Sequence, residues 1–201
     1  KLPKVMNTSE TIEKWLLKSI KQFRSMSFFE RQRELTDHEL AIEILAWREE
    51  RWGERFDPTN IFSELSLLSW DEDRVWWNDT EADVVSGRTT YKKTIQEWSY
   101  ISRGAFLPSD IQEYWETEDG PIKISFSHND QFITLHPDYL EDYIDLGLLR
   151  QINALINNTG LQFELYKPFD QTGFVVVLNA VEKNRLITER GWQFTRGISN
   201  L

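Results

Sequence analysis

The chain has 201 residues, no cysteine, nine tryptophans and a formal net charge of -10. That length is enough to bury a substantial core in one globular domain, 1–201. The missing cysteine excludes disulfides, thiolate nucleophiles and thiolate metal sites, and it fits a reducing cytoplasm.

The charge is unevenly spread. Residues 1–56 hold 11 bases and 10 acids, and residues 57–201 hold 12 bases and 23 acids. Residues 107–145 carry ten acids and a single base, Lys123. Such a field repels phosphate backbones and anionic lipid and attracts cations, so the expected partner is a basic protein, with no nucleic acid and no membrane. No apolar run approaches the roughly 18 residues of a membrane span, and no apolar signal segment opens the chain. The opening Lys1 to Met6 fits either a native start at Met6 or a trimmed chain.

Residues 1–104 read as mainly helical. Asn7 with Glu10 makes an N-cap ahead of Ile12, Trp15, Leu16, Ile20 and Phe23, which keep to one helical face. Thr36 with Glu39 is a capping box that predicts a helix over about 37–51, closed by Gly53, with Arg48, Arg51 and Arg55 near its C-terminus, where the helix dipole favours cations. Asp57 to Asn60 reads as a turn and Ile61 to Leu68 as a short helix. Residues 69–86 read as an acidic loop with Trp70, Trp76 and Trp77 interleaved. Tyr91, Ile95, Trp98 and Ile101 then predict a helix over 89–102.

Residues 105–195 read as the β-rich core. Ile111, Glu113 and Trp115 share one side of a strand, Asp119-Gly120 turns the chain, and Ile122, Ile124 and Phe126 alternate with polar residues. His128 to Asp130 turns into Phe132 to Leu135. From Asp145 as N-cap, Leu148, Leu149, Ile152, Leu155 and Ile156 draw a helical stripe. Leu161, Phe163 and Leu165 alternate with Gln162, Glu164 and Tyr166, the pattern of a strand with one dry and one wet face. A link from Lys167 to Gly173, turned by Pro168, Asp170 and Gly173, joins it to Phe174 to Leu178, an unbroken apolar run suited to a strand buried on both faces. Asn179 with Glu182 caps a final helix that Gly191 ends, and the tail beyond Trp192 is expected to fray. The predicted class is α+β: a helical N-terminal half on a mostly antiparallel sheet of about five strands, with the C-terminal order β-β-β-α-β-β-α.

Chemical motifs are sparse. His128 and His136 would lie roughly 20 Å apart along a hairpin, too far to share a metal, and read as surface or capping residues. Asp79, Glu81 and Asp83 mimic the start of a calcium loop, but Val84 stands where the loop needs glycine and Thr90 where it needs glutamate. No phosphate-binding glycine loop and no nucleophile elbow is present, so no cofactor and no catalytic residue is expected. Glu116 and Glu118, with Tyr114, would share a strand face, the raw material of a glycosidase pair, yet exposed glutamates are the simpler reading.

What stands out is collective. Carboxylates set among Trp70, Trp76, Trp77, Tyr114, Trp115, Tyr139 and Tyr143 offer steering charge together with aromatic anchors. Trp76 and Trp77 are adjacent, so in a regular element they cannot both face inward, which leaves one of them a candidate for exposure. The candidate partner-binding set is Asp79, Glu81, Asp83, Trp76, Trp77, Glu113, Glu116, Glu118, Asp138, Glu141 and Asp142. The leading expectation is a non-catalytic domain that engages or neutralises a basic protein, as a toxin-immunity protein does. Two others compete with it: a carbohydrate or small-ligand module using the Trp-rich loop, with a hydrolytic carboxylate pair as a variant, and an oligomeric scaffold whose tryptophans bury a homodimer interface.

Overall fold

The computed structural model describes residues 8–168 and 171–199, with side chains from residue 11 onward. The Asn7 cap with Glu10, the start at Met6 and the turn residue Asp170 lie outside the described residues. The chain forms two compact units, residues 1–71 and 72–201.

The first unit is helical. Helix α1 (Thr8–Arg24) and helix α2 (Asp37–Trp52) pack on each other, and a short helix α3 (Ile61–Leu68) follows. The periodic residues Ile12, Leu16, Ile20 and Phe23 are all buried. The capping box of Thr36 and Glu39 forms in full, and Gly53 closes α2 in the left-handed conformation, φ 63°, that only glycine adopts without strain. Arg24 ties the α1–α2 connection, donating to Asp37 Oδ1 and to the carbonyls of Gln32 and Leu35, each at 2.8 Å. Trp70 packs its ring against Phe29 at 6.3 Å and belongs to this helical unit.

The second unit carries two antiparallel three-stranded sheets. One has the order β1 (Val75–Asp79), β6 (Thr172–Leu178), β5 (Gln162–Leu165); the other runs β2 (Ser109–Trp115), β3 (Ile122–His128), β4 (Gln131–Leu135). Helices α4 (Thr90–Ile101), α5 (Leu148–Leu155) and α6 (Ala180–Arg190) complete it. The class is α+β, and the order from β2 onward is β-β-β-α-β-β-α. Two features differ from the expected single sheet of about five strands: the strands divide into two sheets, and a sixth strand, β1, occupies part of the segment read as a loop.

Strand β1 lacks a visible period because its adjacent tryptophans both pack on aromatic rings, one on each face. Trp76 points to Trp98 at 5.7 Å and Trp77 to Phe174 at 5.9 Å. The expectation that one of them would be exposed fails for this reason: Trp76 is 4% exposed and Trp77 half-buried. Gly173, expected in the link, lies inside β6. A β-carbon there would meet the Trp76 ring at 3.0 Å and Leu146 at 3.1 Å, so glycine admits the indole against the strand.

The wet face expected for β5 is dry as well. Gln162, Glu164 and Tyr166 are buried under the sheet's second cover, which includes α6 and the C-terminal segment. That segment is not frayed. Lys167 N donates to Gln193 O and Thr195 N to Leu165 O, and Asn153 Nδ2 holds Ile198 O at 2.7 Å. His128, expected at the surface, is 5% exposed and packs on Phe106 at 5.5 Å.

Candidate functional site

The second unit holds 20 acids and 12 bases, and its loops decide where the acids gather. After β1, residues 80–82 leave the sheet and pair with residues 142–144. Glu81 forms a bridge with Tyr143, Ala82 N donates to Asp142 O at 2.9 Å, and Ile144 N donates to Thr80 O at 2.8 Å. Gln171 clamps the arrangement from the start of β6: its side-chain amide donates to Glu81 Oε2 at 2.7 Å and to Tyr143 Oη at 2.8 Å. The segment that carries Asp79, Glu81 and Asp83 is thus joined to the one that carries Glu141 and Asp142, about 60 residues further along the chain.

An aromatic centre adjoins this cluster. Tyr139 stacks edge-on against Trp115 at 5.9 Å, and its β-carbon lies beside Gly120 in the turn that carries Glu116, Glu118 and Asp119. Partial burial, with the Asp119, Glu141 and Asp142 carboxylates behind it, pushes the Tyr139 phenol above its ordinary value. One aromatic ring therefore senses acids from two separate loops. Beside it Leu140 is 45% exposed, an apolar contact the sequence did not single out; only its place next to Tyr139 and among acids hinted at it.

The other candidate residues divide by role. Glu113 is internal wiring: Oε2 accepts from Lys92 N at 2.9 Å, capping α4 where Thr89 supplies no side-chain cap, and Oε1 accepts from Trp115 Nε1 at 2.9 Å. Asp145 is likewise committed, accepting from Gly147 N and Asp138 N and donating its own N–H to the Tyr91 hydroxyl at 3.0 Å. It thereby organises the entry to α5, whose N-cap is Gly147 rather than Asp145. Burial and the carboxylates of Asp145, Glu113 and Asp138 drive the Tyr91 phenol well above its usual range. Asp138 itself is exposed. Glu116 and Glu118 lie beyond the end of β2, in the turn, so they share no strand face with Tyr114. Trp76 is sealed into the core, its Nε1 donating to Glu97 Oε2 at 2.8 Å. Asp110 and Asp130 sit at the opposite end of the β2–β3 pair, away from Glu116 and Glu118.

The cluster is scarcely neutralised. Asp83 pairs with Arg88 at 2.9 Å, but among the described residues Asp79, Glu81, Glu116, Glu118, Asp119, Asp138, Glu141 and Asp142 pair with no lysine or arginine. Among the same residues no group of three or more histidine, aspartate or glutamate side chains is arranged to hold a metal ion, and no helix is long and apolar enough to cross a membrane. No family model, curated protein or solved structure matches the chain.

Proposed function

We propose that the second unit engages a basic protein partner through the acidic loops around Tyr139, and that it acts without catalysis, in the manner of a toxin-immunity protein. The observation that carries the reading is the pairing of residues 80–82 with 142–144. It concentrates carboxylates from distant parts of the chain beside exposed Tyr139 and Leu140 and leaves nearly all of them without an internal cation. Carboxylates of this kind raise the association rate of a cationic protein, while half-exposed aromatic and aliphatic side chains supply the contact area that holds it. If the partner is a nuclease, the acids would cover the lysines and arginines that grip phosphate. The anchoring role expected of Trp76 passes to Tyr139 and Leu140, because a 4%-exposed indole offers a partner almost no area.

Affinity capture from a native lysate tests this, comparing the wild-type chain with a variant carrying Glu81→Lys, Glu141→Lys and Asp142→Lys. The expected result is one basic protein retained in stoichiometric amount by the wild type, released as salt rises and lost from the variant. In purified form, the charge reversal should slow association about tenfold or more while changing dissociation less. Equal retention by both chains, or an affinity indifferent to salt, overturns the reading.

A carbohydrate or small-ligand module built on residues 69–86 has less behind it. Neither Trp76 nor Trp77 stands clear of the sheet as a platform for a sugar ring.

A further inference from the structure

The first unit contains a cleft of about 350 Å³, lined by Ile12 and Glu13 of α1, by Leu45, Arg48 and Glu49 of α2, and by the Gly53 to Phe56 segment that follows. Its size lies at the low end of the roughly 300–1,000 Å³ typical of small-molecule sites. At its wall is a cation in an unusual position. Arg48 is only 8% exposed, its guanidinium lying 4.8 Å from the Phe56 ring centre and 5.9 Å from that of Trp52. Nη1 donates to Ser66 Oγ, but buried Nε meets no acceptor, and the one carboxylate in range, Glu54, is 77% exposed and a full 4.0 Å from Nη2. Burial pushes the guanidinium below its ordinary value, against the pull of Glu54. A buried cation with so distant a counter-ion is costly unless an anion joins it. Arg55, exposed and also in the lining of the cleft, pairs with no carboxylate among the described residues.

The rest of the lining restricts what the anion can belong to. Glu13, Glu49 and Glu54 outnumber the two arginines, so a phosphate or dicarboxylate would meet net repulsion. A single carboxylate facing Arg48 and Arg55, with a cationic amine facing the glutamates, satisfies both signs. Ile12, Leu45 and Phe56 supply an apolar wall for a hydrocarbon body. We propose that this cleft binds a free α-amino acid with a large apolar side chain, its carboxylate on Arg48 and Arg55 and its ammonium on the glutamate rim.

The test is isothermal titration calorimetry of the full chain with L-phenylalanine, 3-phenylpropionate and 2-phenylethylamine, which share a ring and differ in charge. The expected result is saturable binding of L-phenylalanine, at least about tenfold weaker binding of each analogue, and a loss of about tenfold in affinity for the exposed-site variant Arg55→Ala. Arg48→Gln should abolish binding. Because Arg48 also supports the fold, Arg55→Ala and the ligand series carry the decision if that variant is unstable. No heat at millimolar L-phenylalanine, equal binding of either analogue, or an Arg55→Ala variant that binds as the wild type does overturns the proposal.

Discussion

The two sheets of the second unit have equal strand numbers and opposite surroundings. In the β1-β6-β5 sheet, β5 is buried at every position and β6 at all but its first, so the sheet is walled on both faces. In the β2-β3-β4 sheet burial alternates: Ile122, Ile124, Phe126 and His128 are buried, while Lys123 is exposed and Ser125 and Ser127 are half-buried. The difference teaches where this protein can afford charge. In the covered interior of the first sheet the carboxylate is a neutralised group: Glu164, fully buried, meets Lys183 Nζ at 2.9 Å and the Ser199 hydroxyl. Acids free of internal cations lie where the chain leaves the sheets, at the exposed end of β1, in the β2–β3 turn and in the segment around Tyr139, and the candidate site gathers there.

The largest expected effect comes from opening the doubly covered sheet. Phe163 is fully buried and edge-on to Phe106 at 6.2 Å, so Phe163→Ala opens a cavity and should cost about 4 kcal/mol in urea unfolding. Next is Lys183→Met, which strands Glu164 without its cation and should cost about 3 kcal/mol at neutral pH. Its pH dependence sharpens the contrast. Burial already holds the Glu164 carboxyl above its ordinary value, against Ser199 and Lys183. The folded state therefore binds that proton more tightly than the unfolded chain, and stability contributed by the protonated form is lost as pH rises from the ordinary carboxylate range. Removing Lys183 raises the folded value further, so the deficit of Lys183→Met should shrink as the solution is acidified towards that range. A deficit that stays constant with pH would show that Lys183 acts through packing instead of charge.

A smaller effect tests the helix that covers this sheet. Asn179→Ala deletes the acceptor for Glu182 N at 2.9 Å and should cost about 1 kcal/mol by thermal or urea unfolding. The smallest belongs to the half-open sheet. Phe132, 76% exposed on β4, should tolerate serine within about 0.5 kcal/mol, and a larger loss would mean that this face is covered.

Two capping boxes and two helix stops were legible as local signals. The capping boxes at Thr36–Glu39 and Asn179–Glu182, and the glycine stops at 53 and 191, are decided by residues within one turn of each other, and all four form as the spacing predicts. The alternation of β3 was equally plain, since one dry and one wet face write themselves into every second residue. Strand β1 was not, because Val75, Trp76 and Trp77 meet apolar partners on both sides and leave no period. Glu164 was misread for the same cause: its polar character looked like exposure, when α6 and the C-terminal segment bring Lys183 and Ser199 to it from 19 and 35 residues away. The acids of the candidate site could be counted in the sequence, but not their grouping, nor the withdrawal of Trp76 and the internal engagement of Glu113.

The sequence by itself determined the α+β class, the ends of the capped helices and the surplus of negative charge. Those depend on composition and on contacts a few residues long. Only the tertiary structure decided which faces are dry, which carboxylates lie together and which have partners. Those outcomes depend on segments such as 80–82 and 142–144 meeting across the fold, and no local pattern encodes a meeting between distant segments.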